Sequence, residues 1–174
     1  MTTYDSATAK CFVYSYKDGL LSNVAHDLKH RATSFLLRVD ERMQLIEAEI
    51  DARSVRVECV MKHGVETDGG LSADDRRKIE SQIIHDVLHA DVHPVIRFRS
   101  TAVARCPDGI EITGVLELND CVGLVSTVAR LVQNHYEAVI TIHQPAFGIK
   151  PFSALMGTLK VKPDVVVRML VPVA

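Results

Sequence analysis

Apolar residues in this chain recur at every second position, and that period restricts it to extended strands with one buried face. Ile46, Ala48 and Ile50 alternate with Glu47, Glu49 and Asp51. Ile110, Ile112, Leu116 and Leu118 alternate with Glu111, Thr113 and Glu117, while Tyr136, Ala138, Ile140 and Ile142 share one face and Val165, Val167, Met169 and Val171 another. Successive side chains of a strand point to opposite faces, so such patterns read as antiparallel strands with one side wet. Similar patterns around residues 9–17, 24–40, 94–105 and 121–132 bring the expected total to about eight strands. Lys17-Asp-Gly19, Pro107-Asp-Gly109 and Asn119-Asp120 supply turn chemistry between them.

One segment follows a different period. Ile79, Ile83, Ile84, Val87 and Leu88 are spaced for a helix face, Ser72 and Asp75 resemble a capping box, and the first turn is acidic. Pro94 stops continuation. The expectation is one amphipathic helix over Asp74–His89 that closes one end of the sheet, with Ile83, Ile84, Val87 and Leu88 inward. A second, short helical turn is expected at Pro151–Met156, near the C-terminal strand. Many antiparallel strands under a covering helix favour a closed or nearly closed barrel, which removes exposed strand edges. The 174 residues, 47% hydrophobic and 24% charged, fit one mainly β domain spanning residues 1–174.

Several function classes drop out. Twenty basic against 22 acidic residues, with no Lys/Arg run, leave no footprint for nucleic acid. The apolar runs are strand-sized, which predicts no transmembrane segment. Residues 1–10 lack an apolar core, so a signal peptide is not expected and the placement is cytoplasmic. Cys11, Cys59, Cys106 and Cys121 are scattered, without a Cys-x-x-Cys, and read as free thiols. There is no Gly-x-Ser-x-Gly elbow, no P-loop and no dinucleotide fingerprint, so no cofactor and no reaction is specified and the chain is not read as an enzyme.

His26 and Asp27 are neighbours in Val24-Ala-His-Asp-Leu-Lys-His-Arg-Ala-Thr-Ser-Phe35. In an extended strand they face opposite ways: His26, Leu28, His30 and Ala32 inward, Asp27, Lys29 and Arg31 toward solvent. That geometry argues against a dyad. Apolar parity then changes between Ala32 and Phe35, since Phe35, Leu37 and Val39 are odd-numbered. A β-bulge would do this, as would burial of both Leu36 and Leu37 without one. His85 and His89, four apart, are weak metal candidates, with His93 just beyond, but no Glu sits between them as in a metalloprotease helix. Phe12, Tyr14, Phe35, Phe98, Tyr136, Phe147 and Phe152 are candidates for the interior. A small barrel is filled by such side chains or holds one ligand, and composition does not separate the two.

Several stretches together resemble the YceI-like family. Gly19-Leu-Leu-Ser-Asn-Val-Ala-His-Asp-Leu28 is similar to its first inner strand, with His26 at the characteristic histidine, and Ile50-Asp-Ala-Arg-Ser-Val55 to an I-D-A-x-S-V strand end. Ile79 to Val87, followed by His93-Pro-Val-Ile-Arg-Phe-Arg-Ser100, resembles the family's helix and its Y-P-x-I-x-F-x-S strand, with His for Tyr. Gly114-Val-Leu-Glu-Leu118 matches G-x-L-x-L, and the closing segment from His143 to Val161 resembles the region around D-F-G-I. Ala146 and Pro145 replace that motif's Asp and the Arg before it, and Asn119–Gly123 replaces an H-G-x-T-K hairpin.

The resemblance implies a lipocalin-like antiparallel barrel that encloses a polyisoprenoid, isoprenoid quinone or fatty amide by sequestration. Ligand-binding residues would be His26, Phe35, Leu37, Ile96, Phe98, Leu116, Ile140, Ile142, Phe147 and Phe152. Two alternatives stand beside this: an enzyme on a small hydrophobic or lipid substrate with His26 as acid/base, and a solid-cored interaction module. A homodimer is compatible with all three.

Overall fold

The computed structural model describes residues 1–18, 26–40, 42 and 44–173. Strands β1 (Thr2–Asp5), β2 (Lys10–Ser15) and β3 (Lys17–Asp18) precede β4 (Asp27–Ala32) and β5 (Phe35–Val39). β6 (Ile46–Asp51), β7 (Val55–Lys62) and β8 (Val65–Thr67) lead into the helix α1 (Ala73–Gln82). The long strands β9 (Val95–Cys106), β10 (Gly109–Leu118), β11 (Cys121–Val132) and β12 (His135–His143) follow. β13 (Ser153–Ala154), β14 (Leu159–Val161) and β15 (Asp164–Pro172) complete the chain. Twelve strands form one antiparallel sheet in the order β1-β5-β6-β9-β10-β11-β12-β15-β2-β4-β7-β8, and β13-β14-β3 form a small second one.

The expected class, mainly β and antiparallel with one helix, is what the sheet shows; the count of eight is corrected to twelve in the main sheet. The difference arises because the segment 24–40 is two strands, because β7 is a full strand that the alternation did not mark, and because β1 and β8 add short edges. Of the family-like stretch Gly19–Leu28, residues 19–25 lie outside the described residues, as does the start of the strand expected at 24. The turn expected at Lys17-Asp-Gly19 falls partly on β3, which pairs with β14.

β4 and β5 run on from each other around a two-residue corner, Thr33–Ser34, and β6 and β7 do the same around the 3₁₀ turn Ala52–Ser54. β4 pairs with β7 and β5 with β6, so these four strands are one two-stranded ribbon bent at a shared corner. Its backbone bonds are Thr33 N to Ser54 O at 3.2 Å and Asp51 N to Ser34 O at 3.0 Å. The Thr33 hydroxyl adds a bond to Ser54 O at 2.9 Å. The parity change before Phe35 is therefore real, but its device is this corner, not a bulge between Ala32 and Phe35.

Two bulges do occur, elsewhere. One puts Glu58 of β7 as an extra residue opposite β4, between the pairs Lys29↔Cys59 and His30↔Val57. The other puts Thr101 of β9 opposite the step from Thr113 to Gly114. A bulge bends its strand and increases local twist. Beside the second, Ser100 is buried and its hydroxyl accepts from Ile46 N at 2.9 Å, extending the β6–β9 pairing by a side chain.

The helix begins where the sequence places it: Ser72 Oγ accepts from Asp75 N at 3.0 Å, and Asp74 and Asp75 occupy the first turn. It ends differently. After Gln82 the chain widens into a π turn, Ile83–Val87, with Leu88 N bonding Ile83 O at 2.9 Å. Arg76 Nη1 donates to Val57 O at 2.6 Å and Glu58 O at 3.0 Å, and Glu80 Oε1 accepts from Val57 N at 2.8 Å. The helix is thus latched to backbone groups at the β7 bulge. The helical turn expected at Pro151–Met156 is corrected: Ser153 and Ala154 pair with Lys160 and Leu159 as β13, and the 3₁₀ turns are Gln144–Phe147 and Leu155–Gly157.

Gly114 shows how tightly the inner wall is fitted. A Cβ there would lie 2.5 Å from the Phe98 ring and 2.6 Å from Arg99 O. Gly114→Ala is expected to cost about 1–3 kcal/mol by overpacking, and Phe98→Leu in the same chain to restore part of the loss. Urea midpoints of the two single variants and the double variant check this; an unchanged midpoint for Gly114→Ala would remove Phe98 from that position.

Candidate ligand-binding site

The inward faces enclose a cavity of about 640 Å³ that runs through the sheet. Every residue of the four alternating faces named from the sequence lines it, from Ile46 through Ile110 and Tyr136 to Val171. β2 contributes Cys11, Val13 and Ser15, and β4 contributes Leu28, His30 and Ala32 beside His26. Thr2, Asp40 and Pro172 frame one end. Lys17, His26, Phe152 and Lys160 frame the other, where Ile79, Ile83, Val87 and Leu88 of the helical segment also reach the cavity. Ile84, expected inward, is half-buried and does not line it, because the π turn carries the apolar face from Ile83 to Val87.

Of the ten residues picked from the sequence, His26, Leu37, Ile96, Phe98, Leu116, Ile140, Ile142 and Phe152 line the cavity. Phe35 and Phe147 do not. Phe35 fills the ribbon corner with Ala9, Cys11 and Ala32. Phe147 closes a gap. β11 and β12 pair only from Arg130↔Glu137 to Val132↔His135, and farther along Thr127 Oγ1 donates to Val139 O at 2.8 Å. Beyond that, Phe147 packs on Gly123, where a Cβ would sit 2.8 Å from its ring. Two other interior expectations are corrected by parity: Phe12 and Tyr14 alternate with the inward Cys11, Val13 and Ser15 and lie on the outer face.

The outer face of β4 also departs from expectation. Lys29 is buried instead of solvated: its ammonium sits 4.1 Å above the Phe12 ring and pairs with Glu66 of β8. The β7–β8 hairpin creates that second layer, and the ring face and carboxylate compensate the buried charge. Asp27 faces away from His26, with Oδ1 accepting from Lys17 N at 2.8 Å. His85 Nδ1 meets Asp91 Oδ2 at 2.6 Å, and His89 Nδ1 lies 3.0 Å from His85 O. Among the described residues no group of three His, Cys, Asp or Glu is gathered for a metal ion.

Sequence reasoning placed His30 inward but gave it no role. It is 4% exposed, with Nε2 2.9 Å from Ser15 Oγ, and Nδ1 has no partner among the described residues. The signal was available: an even-numbered histidine between two apolar inward neighbours. Burial pushes its pKa down to about 4 and pushes the Cys11 thiol up to about 12, each because the charged form loses its water.

An unfolded histidine titrates near 6.5. Between that value and about 4 the unfolded chain binds the proton and the folded chain does not, so stability falls as pH drops through this window. Relative to a His30→Leu variant, the protein is expected to lose about 2–3 kcal/mol between pH 7 and pH 4.5. Urea unfolding of both proteins at those two pH values measures it, and parallel losses would show that His30 titrates as an exposed histidine.

With the geometry in place, the chain can be set beside known proteins. No curated protein matches it in sequence. BcnA of Burkholderia cenocepacia superposes with a TM-score of 0.65 at 17% identity, over 95% of this chain and 96% of that one. A polyisoprenoid binding domain from Saccharophagus degradans, implicated in plant cell wall breakdown, superposes with a TM-score of 0.56 at 12% identity, over 97% and 94%. At these identities the likeness is one of fold. The sequence model of the YceI-like domain matches residues 5–172, and the chain belongs to that family.

Proposed function

We propose that the protein sequesters a single long apolar molecule in the interior of its curled sheet. The observation that carries this reading is the cavity itself: the inward faces do not meet as a solid core but leave about 640 Å³, within the usual range of ligand pockets, roughly 300–1,000 Å³. At about 30 Å³ for each water-sized group, that is room for on the order of 20 non-hydrogen atoms. Each methylene taken from water contributes about 0.8 kcal/mol, so affinity grows with chain length without directed polar contacts.

A polyisoprenoid, an isoprenoid quinone or a fatty amide fits this description. Family membership and the fold shared with a polyisoprenoid binding domain support the first. The four cysteines are all unpaired, which suits a reducing compartment such as the cytoplasm. The helical segment, half-buried across one end and held by Arg76 and Glu80, is the element whose displacement would admit a chain.

Native mass spectrometry and solvent extraction of protein purified without detergent test the reading. Wild type is expected to carry a long-chain molecule, and Ala138→Phe, which fills the cavity from β12, to lower occupancy several-fold while the circular dichroism spectrum stays β-rich. Repeated recovery of ligand-free protein, or occupancy indifferent to the filling residue, would rule sequestration out.

A further inference from the structure

The wall of the cavity is apolar along β2, β4, β12 and β15 except where Ser15 and His30 meet and at the Tyr136 phenol, opposite Val171 toward the Thr2 end. Ser15 pairs with Leu28 and His30 with Val13, so the two are diagonal neighbours on one face and both point inward. His30 lies in a row with Val13, Val167 and Ile140 across four adjacent strands. A leucine would fill such a position at no polar cost. The imidazole instead buries two nitrogens and bonds through only one of them.

The missing partner fixes the proton. A neutral imidazole carries one N–H and one bare nitrogen. Placing the proton on Nδ1 would bury a donor without an acceptor, and orphaned N–H groups are rarer than under-satisfied acceptors. Nε2 is therefore the protonated nitrogen and donates to Ser15 Oγ across 2.9 Å. The serine oxygen is engaged as acceptor, and its own proton remains to be given. Two other polar groups of the lining are committed elsewhere: Thr127 Oγ1 to Val139 O, and Gln144 Nε2 to Lys162 O at 3.1 Å, while the phenols of Tyr4 on β1 and Tyr136 on β12 belong to other stretches of the wall.

We propose that Ser15, oriented by His30, donates a hydrogen bond to the ligand, and that the cavity selects long-chain molecules carrying an uncharged carbonyl oxygen: a ketone, ester, amide or quinone. This rests on the sequestration reading above and narrows it. The carbonyl sits at the Ser15–His30 level and the chain runs past Met169 and Val171 toward the Thr2 end. From Val167 to Pro172 is five residues, roughly 16 Å of extended strand. An ionised head group is disfavoured at that level because the neighbouring wall is apolar and Lys29 and Arg31 point to the opposite face of β4. Lys17 and Lys160 lie at the rim.

Three probes of equal chain length distinguish the possibilities: hexadecane, the matching methyl ketone and the matching carboxylate, each titrated into the full-length protein and followed by native mass spectrometry. Wild type is expected to bind the ketone roughly three- to tenfold more tightly than the hydrocarbon, the yield of one neutral hydrogen bond. Ser15→Ala should bring that ratio close to one. His30→Leu should do the same, whereas His30→Gln, which restores an N–H toward Ser15, should recover part of the preference; thermal unfolding verifies that each variant is folded. Equal binding of ketone and hydrocarbon by wild type, tightest binding of the carboxylate, or a ketone preference that survives Ser15→Ala would overturn the proposal and leave sequestration standing. Failure of all three probes to bind would overturn both.

Discussion

The bent ribbon of β4–β5 and β6–β7 is the constraint on which the rest of the molecule depends. Among the described residues the main sheet has two edges, β1 and β8, and no ladder joins them. What brings its two ends around a common interior is covalent: β4 lies near one end of the strand order and β5 near the other, and only Thr33 and Ser34 separate them. The bonds from Thr33 and Asp51 across to Ser54 and Ser34 hold both strands in the same bend. Ala52, fully buried, and Phe35, packed on Ala9, Cys11 and Ala32, fill the inside of the corner. An open sheet becomes an enclosure at this point, and the cavity exists because of it.

Much of this was legible in the sequence, for a reason rooted in strand geometry. A period of two assigns every residue of a strand to a face, so the faces containing Ile46, Ile110, Tyr136 and Val165 could be read without knowing which strands pair. The parity change after Ala32 also carried information, since it marked the corner. Its cause was hidden because a bulge and a two-residue break shift parity alike, and only the partner strand, turning at Ala52–Ser54, separates them. Phe12 was misplaced by ranking hydrophobicity over parity, and Lys29 because the sequence does not show that β8 covers the outside of β4. Phe147 and Phe35 were rightly buried residues assigned to the wrong surface: which aromatic lines a cavity and which seals its wall depends on a glycine or a corner in another segment.

The helical segment follows the same logic of unpaired backbone. The Glu58 bulge disturbs pairing between β4 and β7 and leaves peptide groups to be satisfied. Arg76 and Glu80 reach those groups from the polar side of the helix. The latch fixes α1 by its polar face, so its apolar side does not need to be fully buried to stay in place. No residue of α1 or of the π turn is buried. Ile79 packs at the edge of the Leu28, Val57 and Val60 cluster and Val87 and Leu88 at the edge of the Leu118, Ile142, Phe147 and Ile149 cluster, and with Ile83 all of them also border the cavity.

That arrangement bears on specificity. Apolar walls built from Val, Ile, Leu and Ala distinguish ligands by length and girth but not by chemistry, because dispersion and water release are non-directional. Chemical selection has to come from the few polar atoms that secondary structure does not consume. Thr127 and Gln144 are consumed, one bridging the gap between β11 and β12 and the other tying the turn after β12 to Lys162. Asp27, at the His26 end, is consumed by the Lys17 amide. The Ser15–His30 pair is different in kind: among the described residues its two side chains bond each other and not the backbone. A polar pair with no structural debt, held in the wall of an apolar cavity, has the ligand as the partner that accounts for it.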